Sequence, residues 1–130
     1  MESNSAGGLH HRLTERIIGA AIEVHRAIGP GLLESTYEEC LDRELRESGL
    51  AVARQRIVPL MYRGKPLAST YRIDLIVDNR VIVEVKAVDK LARVHLAQIL
   101  SYLRHTGLRV GLILNFNEVT LRDGVKRVSL

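Results

Sequence analysis

Hydrophobic residues recur along this chain with two different periods, and the periods predict its helices and strands. Apolar residues three to four positions apart indicate amphipathic helices, whereas runs rich in Val, Ile and Leu are typical of strands. The predicted order is two helices, three strands, a helix and two strands. Helices are predicted over 13–27, 32–48 and 91–105, and strands over 52–62, 71–78, 80–88, 109–116 and 119–130.

Glycine and proline mark the boundaries of these elements. The Ile-Gly-Pro-Gly break at 28–31 ends the first helix, and Gly49 and Gly107 end the other two. We expect Thr14 to cap the first helix. Pro59 predicts an edge strand or a bulge, because proline cannot donate to a strand ladder.

The third helix lies between two predicted strands. A strand, a helix and a strand in this order predict a parallel pair joined by a right-handed crossover. The last predicted strand contains Asp123-Gly124, where we expect a hairpin. These elements together describe an α/β chain with a mixed sheet.

Three charged residues interrupt the two central strands. Asp74 lies in the first strand, and Glu84 and Lys86 lie two positions apart in the second, so these two face the same side. A charge in an apolar strand is costly unless it is paired or bound to a metal ion. We interpret the three residues as a candidate nuclease metal site, and a solvated cross-strand ion pair is the alternative.

The turn between these strands decides whether the two carboxylates meet. Asp74 must lie opposite Glu84 if they are to share a metal ion. This requires that Val77 pairs with Val81 across a loop of three residues, 78–80, or that a bulge restores the parity. A regular two-residue loop would turn Asp74 to the other face of the sheet. We predict the odd loop or a bulge.

The chemistry of phosphodiester hydrolysis matches these residue types. The reaction needs a divalent cation that neutralises the phosphate and activates water. Mg²⁺ and Mn²⁺ prefer carboxylate and carbonyl oxygens, which Asp74 and Glu84 provide. Lys86 would orient the attacking water or stabilise developing negative charge. We therefore predict a Mg²⁺ or Mn²⁺ site with these three residues as the catalytic group.

Length and composition restrict the class of protein further. The chain has 130 residues, which predicts one domain over 13–130 after a flexible, Ser/Gly-rich end over 1–12. Cys40 is the only cysteine, which excludes an intramolecular disulfide and a cysteine-based zinc site. No apolar run is long enough to span a membrane, so we expect a cytoplasmic protein. The net charge of +4 is compatible with a nucleic-acid partner.

Several motifs together resemble a known family. Gly31-Leu32-Leu33-Glu34-Ser35-Thr36-Tyr37 matches the GxxExxY signature, and Asp74 with Glu84-Val85-Lys86 matches the PD-(D/E)xK nuclease pattern. Gln98 and Tyr102 resemble the QxxxY helix motif of RecB-like nucleases. The chain therefore resembles the GxxExxY proteins, which are grouped with the PD-(D/E)xK nucleases.

The resemblance implies an αβββαβ core with a central mixed sheet flanked by helices. It implies a metal-dependent nuclease, and we expect DNA rather than RNA as its substrate. A homodimer is expected only by analogy with the small dimeric resolvases of the superfamily. The implied metal ligands are Glu34, Asp74, Glu84 and the Val85 carbonyl, the implied catalytic residues are Asp74, Glu84 and Lys86, and the implied substrate-binding residues are Gln98 and Tyr102.

Other interpretations stay open at this point. The same fold could serve as a non-catalytic nucleic-acid-binding or assembly module, or the three charges could form an internal ion-pair network. Tyr37 and Tyr102 could be core residues with hydrogen-bonded hydroxyls. His95 shares a helix face with Gln98 and is expected to pack there rather than to bind a metal ion.

Overall fold

The computed structural model describes residues 8–130 of the chain. Three α-helices, five β-strands and one short 3-10 turn form this part of the protein. The helices are α1 (His11–Ile28), α2 (Glu34–Glu47) and α3 (Arg93–Thr106), and the strands are β1 (Val52–Tyr62), β2 (Lys65–Val77), β3 (Val81–Lys86), β4 (Val110–Asn115) and β5 (Val125–Ser129). Within these residues, no helix has the length and apolar character that a membrane crossing requires.

The strands form one sheet in the order β1-β2-β3-β4-β5. Neighbouring strands are antiparallel, except that β3 and β4 are parallel. A parallel pair needs a long crossover connection, and α3 provides it. The predicted α/β fold, with a central mixed sheet flanked by helices, is confirmed.

Two apolar layers hold the helices against the sheet. α1 and α2 cover one face, where their side chains pack with Leu75, Val83 and Leu112. α3 covers the other face and packs with Ile82 and Ile113. All five of these strand residues are completely buried. Successive residues of β3 therefore face opposite layers, as expected of a strand buried on both faces.

The start of α1 differs from the prediction. The helix begins at His11 rather than at Leu13, so it includes two residues of the end predicted to be flexible. Residues 1–7 of that end lie outside the part that the structure describes. Thr14 is not the cap, because it is buried within the helix, where its hydroxyl donates to His11 O at 2.9 Å.

The hairpin predicted at Asp123-Gly124 is also wrong. These residues belong to a 3-10 turn, Leu121–Gly124, which precedes β5. Leu121 is buried in the core beneath α1. This apolar side chain therefore holds the 3-10 turn against the core and does not belong to a strand. Only the last residues of the chain, in β5, pair with β4.

The sheet divides where β2 and β3 stop pairing. β2 pairs with β3 only over Leu75–Val77. Residues 84–86 of β3 pair with β4 and not with β2, while β2 continues to pair with β1 as far as Lys65, with an irregularity on the way. The division therefore lies at the level of Asp74 and Glu84.

Beyond this division, β1 and β2 continue as a two-stranded ribbon. We call residues 56–73 the β-ribbon. β2 begins at Lys65, earlier than the strand predicted from residue 71. The prediction from Pro59 is confirmed, because β1 is an edge strand and its register shifts between Pro59 and Met61.

Substitution of Gly124 tests the packing of the 3-10 turn against β4. A Cβ at this position would lie 2.3 Å from the Asn115 carbonyl oxygen, a backbone atom that cannot easily move. We expect Gly124→Ala to lower the free energy of unfolding by about 1–3 kcal/mol, as measured by urea denaturation. The matched control is Gly19→Ala, because Gly19 is exposed in α1 with nothing within 4 Å of its Cβ position. That variant should be more stable by about 0.5–1 kcal/mol. Wild-type stability of Gly124→Ala would contradict this packing.

Candidate functional site

The turn between β2 and β3 has the odd length that the candidate site requires. Val77 pairs with Val81 across the loop 78–80, so the predicted register is confirmed. The first two loop residues, an Asp and an Asn, have left-handed φ angles of 51° and 53°, which these residue types tolerate better than most. Continuing the same register past the end of the ladder places Asp74 opposite Glu84.

Asp74 and Glu84 bridge the two strands where the ladder ends. The Asp74 N–H donates to Glu84 Oε2 at 2.9 Å, and the Val85 N–H donates to Asp74 Oδ2 at 2.9 Å. Each carboxylate thus satisfies a backbone N–H at the division of the sheet. The strands themselves therefore hold the two predicted carboxylates side by side.

A further carboxylate, Glu38 of α2, reaches the same region, and the sequence analysis did not include it in the site. Glu38 is 6% exposed and accepts hydrogen bonds from Arg54 Nε at 2.8 Å and Gln55 Nε2 at 2.6 Å. Gln55 Nε2 also lies 3.4 Å from Asp74 Oδ1, so it links the two acids. One signal in the sequence could have identified Glu38. It lies three residues before Leu41 on the apolar face of α2, where a charge is unexpected.

The backbone of β1 is distorted at Gln55. Its φ of 54° is uncommon for a residue other than glycine. Residues on either side of Gln55 and Asp74 form ladder pairs, whereas these two residues do not. The side-chain alternation of β2 shifts at the same level, since Ile73 packs on the α3 side and Leu75 on the α1–α2 side. The distortion thus coincides with the contact between Gln55 and Asp74.

Glu34 approaches from the first turn of α2. The Tyr37 hydroxyl donates to Gly29 O at 2.5 Å and accepts the Leu32 N–H at 3.1 Å, which fixes the Gly-Pro-Gly turn before the helix. Glu34 Oε2 accepts the Ala87 N–H at 3.0 Å, directly after β3. Glu34 is exposed, so it lies at the rim of the site, and the buried Tyr37 holds the turn that presents it.

Asn115 holds the chain that follows Lys86. Its buried side chain accepts the Val88 N–H at 3.1 Å and donates to Val88 O at 2.8 Å. The Phe116 N–H donates to Lys86 O at 2.9 Å. These bonds tie the ends of β3 and β4 together. They fix the backbone of Lys86, which is half-buried and shares a strand face with Glu84.

The three predicted residues of α3 occupy different positions. Tyr102 is buried and packs edge-on against Tyr71, with 4.6 Å between ring centroids. Burial, with the nearby charge of Glu84 as the next cause, raises the pKa of Tyr102 to about 12. Gln98 is exposed on the helix surface. His95 Nδ1 accepts the Ala92 N–H at the start of α3 at 3.0 Å, so this ring nitrogen caps its own helix.

Burial and neighbouring carboxylates raise the pKa values of Asp74 and Glu84. Burial is the main cause and the charge of Asp74 the next, and together they raise the pKa of Glu84 to about 8. Burial also raises the pKa of Asp74 to about 6, although the hydrogen bond from Val85 opposes the shift. The charge of Glu38 raises both pKa values and the charge of Lys86 lowers both. A site that disfavours two adjacent negative charges favours a proton or a cation between them.

The donor atoms suit a hard divalent cation, although they do not form a closed cage. Among residues 8–130, no group of three or more His, Cys, Asp or Glu side chains is arranged to hold a metal ion. The predicted set is therefore not gathered around one point, since Glu34 bonds the backbone after β3. Asp74 and Glu84 remain adjacent, with Val85 next to them. Mg²⁺ is commonly bound through one or two carboxylates and several waters, and this pair fits that chemistry.

Most of the chain matches the sequence model of one protein family. The PD-(D/E)XK nuclease superfamily matches residues 11–128, a span that contains every site residue described above. The chain therefore belongs to this superfamily. No curated protein and no solved structure matches it significantly. The superfamily comprises nucleases that cleave phosphodiester bonds and generally use divalent metal ions, so membership indicates a metal-dependent nuclease with a nucleic-acid substrate.

The raised carboxylate pKa values predict that stability falls as the pH rises. In the unfolded chain both groups ionise near pH 4, whereas folded Asp74 and Glu84 keep their protons up to about pH 6 and about pH 8. The folded state binds more protons over this range, so the free energy of unfolding should fall from about pH 4 to about pH 8. Urea denaturation in EDTA at a series of pH values measures the effect.

Glu84→Gln identifies the source of this pH dependence. Its amide oxygen can still accept the Asp74 N–H, but the side chain does not ionise. At pH 8 the variant should exceed the wild type in free energy of unfolding by about 1 kcal/mol or more, and most of the slope should disappear. Glu47→Gln, on the exposed surface of α2, is the control and should keep the wild-type slope. The same slope in Glu84→Gln would show that another group causes it.

Proposed function

We propose that this protein is a Mg²⁺- or Mn²⁺-dependent deoxyribonuclease of the GxxExxY type with a RecB-like QxxxY helix. The adjacent pair of Asp74 and Glu84 carries this proposal, with Lys86 following on the same face of β3. Placing two carboxylates together at low solvent exposure is unfavourable without a positive partner. A divalent cation offsets their repulsion and supplies the chemistry that phosphodiester cleavage needs.

The proposed metal ligands are Asp74 and Glu84, with the Val85 carbonyl and Glu34 as further ligands. When bound, the ion would neutralise the phosphate and lower the pKa of a water molecule. Glu34 can join the set because it is exposed and its carboxylate reaches the chain directly after β3, where it accepts the Ala87 N–H. Gln55, which lies outside this set, orients Asp74 from the second strand.

Lys86 is proposed as the residue that assists water attack. Its attraction lowers the pKa of both Asp74 and Glu84, so its charge acts on the same atoms that would hold the metal ion. The ammonium group offers three N–H donors around a compact charge. It can therefore orient a water molecule and stabilise the negative charge that develops on a phosphate oxygen.

Gln98 and Tyr102 are proposed as the substrate-binding residues of the site. The exposed Gln98 is positioned on the surface of α3, where a nucleic-acid strand can reach it. Tyr102 is buried against Tyr71, and the charge of Glu84 contributes to its raised pKa, so we assign it to the part of the site beside the carboxylates. DNA is the proposed substrate, and the net charge of +4 suits such a polyanion. A single domain over 13–130 and a homodimer complete the proposal.

Loss of Lys86 tests the catalytic role. Lys86→Ala should reduce the rate of DNA cleavage by about 10²–10³-fold, the usual effect of removing one preorganised charge stabiliser. The assay uses single-stranded, duplex, flap and four-way DNA with Mg²⁺ or Mn²⁺. The control is Arg109→Ala, since Arg109 is exposed just before β4, next to the residue that pairs with Val81 at the opposite end of β3 from Lys86. A wild-type protein that binds these DNAs and cleaves none of them would instead support a non-catalytic binding module.

Calorimetry with Mn²⁺ tests the ligand assignment without any activity measurement. Asp74→Asn and Glu84→Gln should each weaken Mn²⁺ binding by at least about tenfold, while Lys86→Ala should retain it. Both amide side chains can still accept the backbone N–H that the wild-type residue accepts, so the fold should persist. Glu47→Gln provides the control on an exposed surface. Undiminished binding in Asp74→Asn would contradict the assignment, and no binding by the wild type would favour an internal structural network.

A further inference from the structure

The β-ribbon carries positive charge and no negative charge. Arg56, Arg63, Lys65 and Arg72 lie on it and are all exposed, and no Asp or Glu occurs over residues 48–73. Across residues 8–130, none of these four side chains forms an ion pair. Solvent-exposed surfaces ordinarily mix both signs of charge. A surface with only positive charge suits a polyanionic partner.

The outer part of the ribbon stands away from the rest of the protein. Residues 59–70 are exposed, apart from the half-buried Leu60, and their ladder pairs are all between β1 and β2. From Ile73 to Lys65 the ribbon extends roughly 25 Å, at about 3.3 Å per residue. A two-stranded ribbon of this kind fits the major groove of a nucleic-acid duplex, which is about 12 Å wide in B-DNA.

The ribbon leads directly into the candidate active site. Arg72 is two residues before Asp74 in β2. Tyr71 and Ile73 face α3, so the alternation of the strand turns Arg72 to the opposite face. Arg56 pairs across the ribbon with Ile73 and shares its face. Positive side chains thus lie on both faces where the ribbon meets the site, and Arg63 and Lys65 lie at its far end.

The surface of the β-ribbon suits a polyanion better than it suits the ribbon of a second copy of this chain. Both strands are edge strands in the outer part, and such edges can pair with another chain. However, Pro59 in β1 and Pro66 in β2 each remove a backbone donor. The like charges of two ribbons would also repel each other. The exposed apolar side chains of the ribbon, Ile57, Met61, Tyr62 and Leu67, can contact sugars and bases as well as protein.

We propose that the β-ribbon grips duplex nucleic acid by its phosphates through Arg56, Arg63, Lys65 and Arg72. The duplex held in this way extends from the ribbon tip to the site formed by Asp74 and Glu84. The inference rests on the proposed function in one respect, because the duplex that the ribbon holds is the one that the site cleaves.

Fluorescence anisotropy with a labelled DNA duplex in EDTA tests the grip without cleavage. Arg63→Gln combined with Lys65→Gln should weaken binding about tenfold near 100 mM NaCl. It should also reduce the slope of log affinity against log salt by roughly 1.8, the value for two lost phosphate contacts. The matched control combines Arg109→Gln with Lys126→Gln. Both residues are exposed; Arg109 precedes β4 and Lys126 lies on β5. This control should change affinity less than threefold.

Each outcome of this experiment decides for or against the grip. Unchanged affinity in the ribbon variant, equal losses in both variants, or no duplex binding by the wild type would each overturn it. A single strand of the same sequence should bind more weakly, and equal or tighter binding overturns the duplex assignment. Light scattering accompanies each titration, since binding lost together with a dimer would indicate an interface between copies. Circular dichroism checks that every variant folds.

Cleavage by the wild type, measured separately with Mn²⁺, distinguishes this inference from the proposed function. If binding depends on the ribbon and no DNA is cleaved, the proposed nuclease function is contradicted and the binding role of the β-ribbon is supported. If the wild type and the ribbon variant cleave DNA at the same rate and bind it with the same affinity, the binding role of the β-ribbon is contradicted and the nuclease function is supported.

Discussion

Two carboxylates that replace part of a strand ladder are the constraint on which the site depends. Where the sheet divides, the N–H groups of Asp74 and Val85 are bonded by the side chains of Glu84 and Asp74. Leaving such a buried N–H without a partner would cost about 1–3 kcal/mol each. The same placement removes the carboxylates from much of the surrounding water, which raises their pKa values. The same two side chains therefore satisfy backbone N–H groups and carry negative charges that their surroundings disfavour. A positive partner would reduce this cost.

The surrounding elements fix this point from three directions. Tyr37 holds the turn before α2, which presents Glu34. Asn115 ties the end of β4 to the chain after β3. Gln55 connects the β1 side to Asp74 and Glu38. Gln55 contacts Asp74 itself, whereas Tyr37 and Asn115 hold the backbone on either side of the site. Such preorganisation is what electrostatic catalysis requires.

The sequence contained the central part of this arrangement but not its supports. Asp74, Glu84 and Lys86 could be predicted because charges stand out in apolar strands, and the odd loop followed from the period of two along a strand. The role of Gln55 could not, because its contacts are with residues 17 and 19 positions away and its left-handed φ has no local signature. The length of β2 in the β-ribbon was predicted too short for a related reason. Its outer half, exposed on both faces, lacks the apolar alternation that identifies a half-buried strand.

The division of the sheet also explains why acidic and basic groups lie so close together. A cluster that contains Asp74, Glu84 and Glu38 repels a phosphate, and a small domain has little other surface with which to hold one. Once β2 leaves β3, it is free to continue with β1 as a ribbon whose charges are all positive. One departure from regular pairing thus produces both the acidic site and a basic surface beside it. If the ribbon holds the duplex, its attraction for phosphates offsets their repulsion by the carboxylates. A phosphate can then be brought to Asp74 and Glu84 without any loss of the negative charge that would bind a divalent cation.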